Sequence, residues 1–481
     1  MAKILLIIAL ALFPLAGREA FSQDSELQRI ADSLDVSTTK SFQFTASGSM
    51  FSLGQNTSPA AAWPRQFVKS MTRVYDFTGG AMRDEVVRMS GETPTAGAEQ
   101  RAVTLVRGGH AWNEAGKDTI PRLFEANDRA HQIVISPHGL LRAAFANNAV
   151  LSKKTVEGRP MTLISFTDQG QHRVVAYVND QNAIEWVESV YGNPVLGDTK
   201  VWTYYGPYRD FAGVKFPSKI IQYHDGKPTM DVTVTAVRVN PPVDIQVPAH
   251  VQSDPVPVKS EKVADGLWYI TGISAHSALI EMKDYLIVVE APHGERRAMA
   301  VMDEVKKLVP NKPIKYLINT HHHFDHASGV RTFAAEGVTI VTHEINRPLY
   351  ERAALNSWTL APDRLAKSKK KPVIQAMGDN MVLTDGTRSV ELYQITNNAH
   401  HDGIIMAYLR KEKILIEADA FTPGPAGAEP PKVPDPFNVA LDGNIRRLNL
   451  DVDRIVPIHG RVVSYGDLLA AIGKKPAPAA K

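Results

Sequence analysis

The run Asn319-Thr320-His321-His322-His323-Phe324-Asp325-His326 places four histidines and an aspartate within six residues. Neutral imidazole and carboxylate are ligands that suit zinc and similar borderline metals. Side chains alternate along an extended chain, so His321 and His323 point the same way and can grip one metal, while His322 points opposite. Just past the bend, Asp325 and His326 are free to face a second metal beside the first. His322 is then expected behind the ligands or at the surface.

Such a cluster needs a rigid element to deliver it. The preceding Ile314-Lys315-Tyr316-Leu317-Ile318 is apolar and β-prone, and reads as a buried strand ending in a loop, where catalytic groups usually sit. Leu267 to Thr271, Ser277 to Met282 and Tyr285 to Val289 read as earlier strands. Ala298, Val301, Val305 and Leu308 then repeat at helical spacing. After the cluster, Ser328 to Ala335 predicts a helix and Val338 to Thr342 a strand ending at His343. Three later strands follow: Glu391 to Ile395 and Ile455 to Ile458 each run into a polar segment, and Ile414 to Asp419 ends in a carboxylate.

With its His-x-His-x-Asp-His motif, residues 256–473 resemble the metallo-β-lactamase-fold hydrolases. The resemblance implies an α/β fold, an αββα sandwich with ligands at strand ends. In that family a ligand histidine lies three residues before a glycine. In Asn398-Ala399-His400-His401-Asp402-Gly403 this selects His400, with His401 taking its place if the loop shifts by one. Asp419 corresponds to an acid that bridges two metals, and His459 to the last ligand. The implied sets are His321, His323 and His400 for one metal, and Asp325, His326 and His459 for the other, with Asp419 spanning both. Glu290 stands where the family commonly has an aspartate. The cofactor implied is Zn2+, two per chain, sharing a water whose pKa falls to about 7, so that a bridging hydroxide is available at neutral pH. Asp325 would also orient that hydroxide. A small molecule with an ester, thioester, lactone or β-lactam bond, hydrophobic in one reading, is the implied substrate. Two rivals are a mononuclear iron sulfur dioxygenase of the same fold and a lipid carrier with a vestigial metal site. His276 and His343 fit no ligand slot, and Tyr350 to Met377 is expected to form a helical lid.

A chain of 481 residues with 44% hydrophobic and 22% charged residues is globular and long enough for two or three domains. Its net charge of +3, without a basic stripe, makes no case for nucleic acid. Residues 1–22 read as a secretory signal peptide: Lys3, the apolar Ile4 to Leu15, and Ala20-Phe21-Ser22 at a cleavage site. The apolar run is short of the roughly 20 residues a spanning helix needs, so no stable membrane span is expected and the location is periplasmic or secreted. With no cysteine in the chain, disulfides and zinc thiolates are excluded.

Residues 24–250 read as a β-rich antiparallel domain preceding the sandwich. His172 to Val178 and Ile184 to Tyr191 flank an Asn-Asp-Gln-Asn turn, and Lys219 to His224 and Met230 to Val239 flank Asp225-Gly226. Met230, Val232 and Val234 fall on one face. In its hairpins and in Tyr208 to Pro217 this stretch resembles periplasmic lipoprotein carriers of the LolA type, which implies a sheet able to hold an acyl chain. The plainer reading is a structural domain packed on the catalytic one. Its histidines, His110, His131, His138, His172 and His224, show no ligand spacing. Prolines from Pro241 to Pro257 predict a stiff spacer, and 474–481 a Pro/Ala-rich tail.

Overall fold

The computed structural model describes residues 16–90, 99–168, 172–253, 256, 258–427, 429 and 432–474. Most of the proposed signal peptide and the 474–481 tail lie outside them. The described part of the leader enters a helix, Ala16–Asp32. Leu27, Ile30 and Ala31, through which this helix packs, all follow residue 22.

Thirteen antiparallel strands form one sheet in the first half. From one edge the order is Asp118–Pro121, His110–Ala115, Gln100–Arg107, Ala81–Ser90, Arg65–Asp76 and Ser41–Phe51. It continues through Lys227–Val239, Lys219–His224, Gly197–Tyr205, Ile184–Asn193, His172–Val178, Arg159–Asp168 and Val150–Val156. Both expected hairpins form, and Met230, Val232 and Val234 are buried together. Two helices that the strand pattern did not announce, Ala126–Val134 and Pro137–Ala146, pack on the same face as the first helix. Ser136 caps the second by accepting from the Gly139 amide, and Pro137 occupies its first turn, a helix start that reads in sequence as a turn. The face on which a carrier would seat an acyl chain is thus packed with Ile30, Leu140, Leu141 and their neighbours.

The proline-rich connection is not a free spacer. Ile245 and Val251 are buried against Trp112 and Leu105, and Arg107 Nη1 donates to Ile245 O at 2.7 Å.

The second half is two sheets face to face with helices outside. The first orders Lys259–Ala264, Leu267–Thr271, Ser277–Glu281, Leu286–Val289, Ile314–Ile318, Thr339–His343 and Ile374–Met377, parallel from Leu286 onward. The second orders Asn380–Thr384, Ser389–Gln394, Ile405–Leu409, Ile414–Glu417, Arg454–Pro457 and Val463–Ser464. Period-two alternation explains the layers. Ile287, Val289, Ile318, Ile405, Ile416 and Val456 fill the space between the sheets. Their neighbours Leu286, Val288 and Leu317 face the helix Gly294–Leu308, and Met406, Leu415 and Ile455 face Pro436–Arg447. Strands covered on both faces must be apolar throughout, which is why they read as continuous hydrophobic runs.

The helix expected over Ser328 to Ala335 forms as Val330–Ala335, after a separate turn Phe324–Ala327. Between them Gly329 sits against Ala291, whose carbonyl its amide binds at 2.9 Å. The segment from Tyr350 to Met377 is not a lid. It forms the rest of the helix Arg347–Leu355, the helix Arg364–Ser368 and an edge strand. It also clips onto the first half, where Asp198 accepts from the amides of Thr359 and Leu360.

Candidate metal centre

All seven residues named from sequence converge at one end of the sandwich. His321, His323, His400 and Asp419 each offer an atom within 4.8 Å of the others, as do Asp325, His326 and His459. Asp419 stands between the two groups. Its Oδ2 lies 3.2 Å from His321 Nε2, 2.9 Å from His400 Nε2 and 3.1 Å from His326 Nε2, and its Oδ1 lies 2.9 Å from His459 Nε2. The strand before it ends at Glu417, two residues earlier than its apolar run implies. Asp419 itself takes a left-handed φ of 60°, an uncommon conformation for a side chain larger than glycine. Glu417 braces that turn from behind, its buried Oε2 accepting from the Ala420 and Phe421 amides at 3.0 and 3.1 Å.

Four of the imidazoles are aimed by what the other ring nitrogen does. His326 Nδ1 is 2.9 Å from Glu290 Oε2, and Glu290 Oε1 accepts from the Thr320 amide at 2.5 Å. The glutamate thus fills the supporting role its substitution for aspartate put in question. His459 Nδ1 donates to Ser274 O at 2.7 Å, and His321 Nδ1 meets Thr320 Oγ1 at 2.9 Å. His323 donates from Nε2 to the backbone carbonyl of Asn56 at 3.0 Å, which leaves Nδ1 buried with no hydrogen-bond partner. A buried polar atom without a partner is costly unless something binds it, and here it faces three other ligand-type groups. This observation, together with an all-nitrogen and oxygen donor set, fits a divalent transition metal.

Charge follows the same layout. Burial pushes the Asp419 carboxyl up, but the imidazoles around it, His326 foremost, hold it well below the usual carboxylate range. Asp325 is likewise held at about 2 against its burial, chiefly by His326. Burial and neighbouring imidazoles keep His321 and His323 far below the ordinary histidine value, and so neutral, as ligands must be.

The two histidines at 400 and 401 are placed differently: His400 stands with the candidate ligands and His401 does not. His401 is fully buried behind the cluster, where its Nδ1 accepts from the Gly403 amide at 2.9 Å and its Nε2 lies 2.5 Å from His322 Nδ1. His322 Nε2 in turn meets Asn56 Oδ1 at 2.9 Å. With every donor assigned along this chain, both imidazoles are neutral and neither reaches the centre. Gly403 is required there because a Cβ would lie 2.1 Å from Ile345 Cγ2 and 2.7 Å from His343 Nδ1. His276 accepts from the Gly272 amide and His343 from the Ile345 amide, so both serve local structure.

What sequence reasoning missed is the contribution of the first half. The loop 52–64, between the strands Ser41–Phe51 and Arg65–Asp76, enters the centre. Gln55 Nε2 donates to Asp325 Oδ1 at 2.8 Å, Asn56 holds His322 and His323, and Thr57 O accepts from the Asp402 amide at 2.7 Å. Gly54, at φ 71°, allows this approach, since a Cβ there would fall 2.3 Å from the Phe324 ring. Lys227 anchors the loop through the carbonyls of Pro59 and Ala61. No pattern in residues 52–64 announces a site, because the partners lie some 270 positions away. His293 was also missed. Its amide donates to Asp325 O at 3.1 Å and its Nε2 accepts from the Ala275 amide at 3.1 Å, so it ties two strand-end loops together.

A sheet pair flanked by helices, with seven histidine and aspartate groups at its strand ends, defines a metallo-β-lactamase-fold domain. Residues 270–459 match the metallo-beta-lactamase superfamily, a span that begins before the first ligand and ends on His459. Among curated proteins, the chain is 26% identical over 215 residues to the 2,4-dinitroanisole O-demethylase subunit alpha of Nocardioides sp. (strain JS1661). That match covers 43% of this chain and 61% of the relative, less than two thirds of its length. Similar solved structures include a metallo-beta-lactamase from Pontibacter korlensis, at 18% identity over 45% of this chain and 98% of that one, with a TM-score of 0.35. Another is the FIM-1 metallo-beta-lactamase from Pseudomonas aeruginosa in its mono-zinc form, at 16% identity over 45% and 94%, with a TM-score of 0.35.

Proposed function

We propose that this protein is an exported di-zinc hydrolase that cleaves an ester, thioester, lactone or β-lactam bond of a small molecule. One observation carries the reading: Asp419 presents a carboxylate oxygen to each of two ligand groups, and the buried Nδ1 of His323 is left for a ligand. His321, His323 and His400 would hold one metal, Asp325, His326 and His459 the other, with Asp419 shared. Two such ions supply Lewis acidity and a water of lowered pKa, so no serine or cysteine nucleophile is required. The chain's own residues supply orientation. Gln55 ties one oxygen of Asp325 and leaves the other facing the centre, and Glu290 and Ser274 aim His326 and His459. Export rests on the leader pattern of residues 1–22, whose loss would spare the packing residues of the first helix.

Metal analysis of the purified full chain, with turnover of activated esters before and after chelation, tests the reading. About two zinc per chain and chelator-sensitive ester hydrolysis support it. One iron per chain and oxygen uptake with a thiol substrate would favour the dioxygenase instead, and absence of metal the carrier. The curated relative's name concerns removal of a methyl group from an aryl ether, which favours including 2,4-dinitroanisole among the compounds assayed.

A further inference from the structure

A cleft of about 780 Å³ opens onto the centre, large enough for a drug-sized molecule. His323, Asp325 and His400 form one end, and the walls mix polar groups with apolar side chains that include Phe51, Phe124 and Phe437. Most of the lining comes from the first half of the chain. Two arginines face this space, and their situations differ. Arg122 is already occupied: its Nε lies 2.7 Å from Glu125 Oε1, its Nη1 donates to Ser274 Oγ, and its guanidinium lies over Phe124. Arg88 has only a neutral partner, Gln66 Oε1, at 2.7 Å from its Nη1. Its Nε is buried with no partner, and no carboxylate among the described residues pairs with it.

We propose that the cleft binds a substrate with an apolar body and a carboxylate, and that Arg88 is the residue that receives the carboxylate. The inference rests on the hydrolytic reading for what happens at the other end of the molecule. A guanidinium held only by a neutral amide oxygen can turn two parallel N–H donors to a carboxylate, the geometry that anion matches bidentately, in a partly dry setting where the pairing is strongest. The acids that share the cleft do not compete for this role. Glu125 is tied between Arg122 and Arg129. Asp128 is pushed up by burial, towards the neutral carboxyl form. The strand Arg65–Asp76 separates the strand of Arg88 from the one that leads to Gln55. Arg88 and Asp325 line the one cleft from different elements, so the anion would sit on the cleft wall rather than on the metals.

The test is calorimetric titration of the metal-loaded full chain with 4-phenylbutyrate and its uncharged analogue 4-phenylbutanamide. Wild type, Arg88→Met and Arg88→Lys are compared, each with metal content checked. The wild type is expected to bind the carboxylate at least 10-fold more tightly than the amide. Arg88→Met should abolish that preference, and Arg88→Lys, which keeps the charge without the fork, should restore part of it. A preference that survives in Arg88→Met would place the carboxylate on the metals or on Arg122 and overturn the proposal. So would a wild type that shows no preference or binds neither compound. Turnover of neutral 4-nitrophenyl butyrate by the wild type is measured separately: its absence counts against the hydrolytic reading and leaves the binding result standing.

Discussion

Histidines are used in opposite ways by the two halves of this molecule. In the thirteen-stranded sheet, His131, His138 and His224 are buried one at a time, each satisfied by a neighbouring hydroxyl, carbonyl or amide. Burial is the first cause that holds them below the ordinary histidine value. In the sandwich, His321, His323, His326, His400 and His459 are brought together around two carboxylates, where charge and aim, not burial, distinguish one imidazole from the next. An isolated buried histidine is a packing group with a hydrogen bond. Several become a site when strand ends converge and, as in His321, His323, His326 and His459, the second nitrogen is committed elsewhere.

The strongest way to break this contrast is at Asp419. Asp419→Asn retains size but removes the shared charge, and turnover should fall by more than the roughly 100-fold that loss of a supporting group costs, with metal content halved or worse. Glu417→Gln should stay within about 10-fold, because an amide oxygen can still accept from Ala420 and Phe421. Elemental analysis and kcat/KM on both variants decide it, and a more damaging Glu417→Gln would pass the bridging role to Glu417.

The first half offers the converse experiment. Arg73 and Asp84 form a buried bidentate pair, Nε to Oδ1 and Nη2 to Oδ2 both at 2.6 Å. Arg73→Met leaves Asp84 uncompensated and should lower stability by about 3–5 kcal/mol, read by denaturant titration. Metal content of the folded variant should be unchanged, since neither residue is near the ligands.

Gln55 and Asn56 sharpen the line between the halves, because they lie in one and serve the other. Gln55→Ala frees Asp325 Oδ1, and Asn56→Ala leaves His322 Nε2 unpaired. Each should weaken metal affinity or turnover by about 10- to 100-fold, the usual cost of losing a group that orients a ligand. Competition with a chromogenic chelator measures it. Wild-type affinity in both variants would show that the first half only packs against the centre.

The smallest effect concerns pH. Burial first, then the charges of His172 and His224, hold His131 at about 3, and burial holds His138 at about 4. Both lie below the unfolded value of about 6.5. Between roughly pH 6.5 and 4 the unfolded chain therefore binds more protons than the native one. Stability is fully present above that window and falls as pH drops through it, by up to about 1.4 kcal/mol per pH unit for each histidine. His138→Gln, which keeps a donor to Leu34 O, should lower the slope of denaturation stability between pH 7 and 5 by up to about 1.4 kcal/mol per pH unit.

Much of this protein was settled locally. Strands covered on both faces announce themselves as apolar runs, hairpins by Asp225-Gly226 and its like, and the first ligands by spacing within one short segment. His321, His323, Asp325 and His326 needed only alternation and a bend. What tertiary structure alone decided were the contacts between residues far apart in the chain. The choice of His400 over His401 depended on Gly403 packing against Ile345 and on His322 lying where it could claim His401. The role of Gln55 and Asn56 depended on a hairpin loop meeting Asp325 and His323 across about half the chain. Local propensity cannot encode such pairings: they cost nothing in the strand or loop that supplies them, and acquire their value only when packing of the two halves removes water from between them.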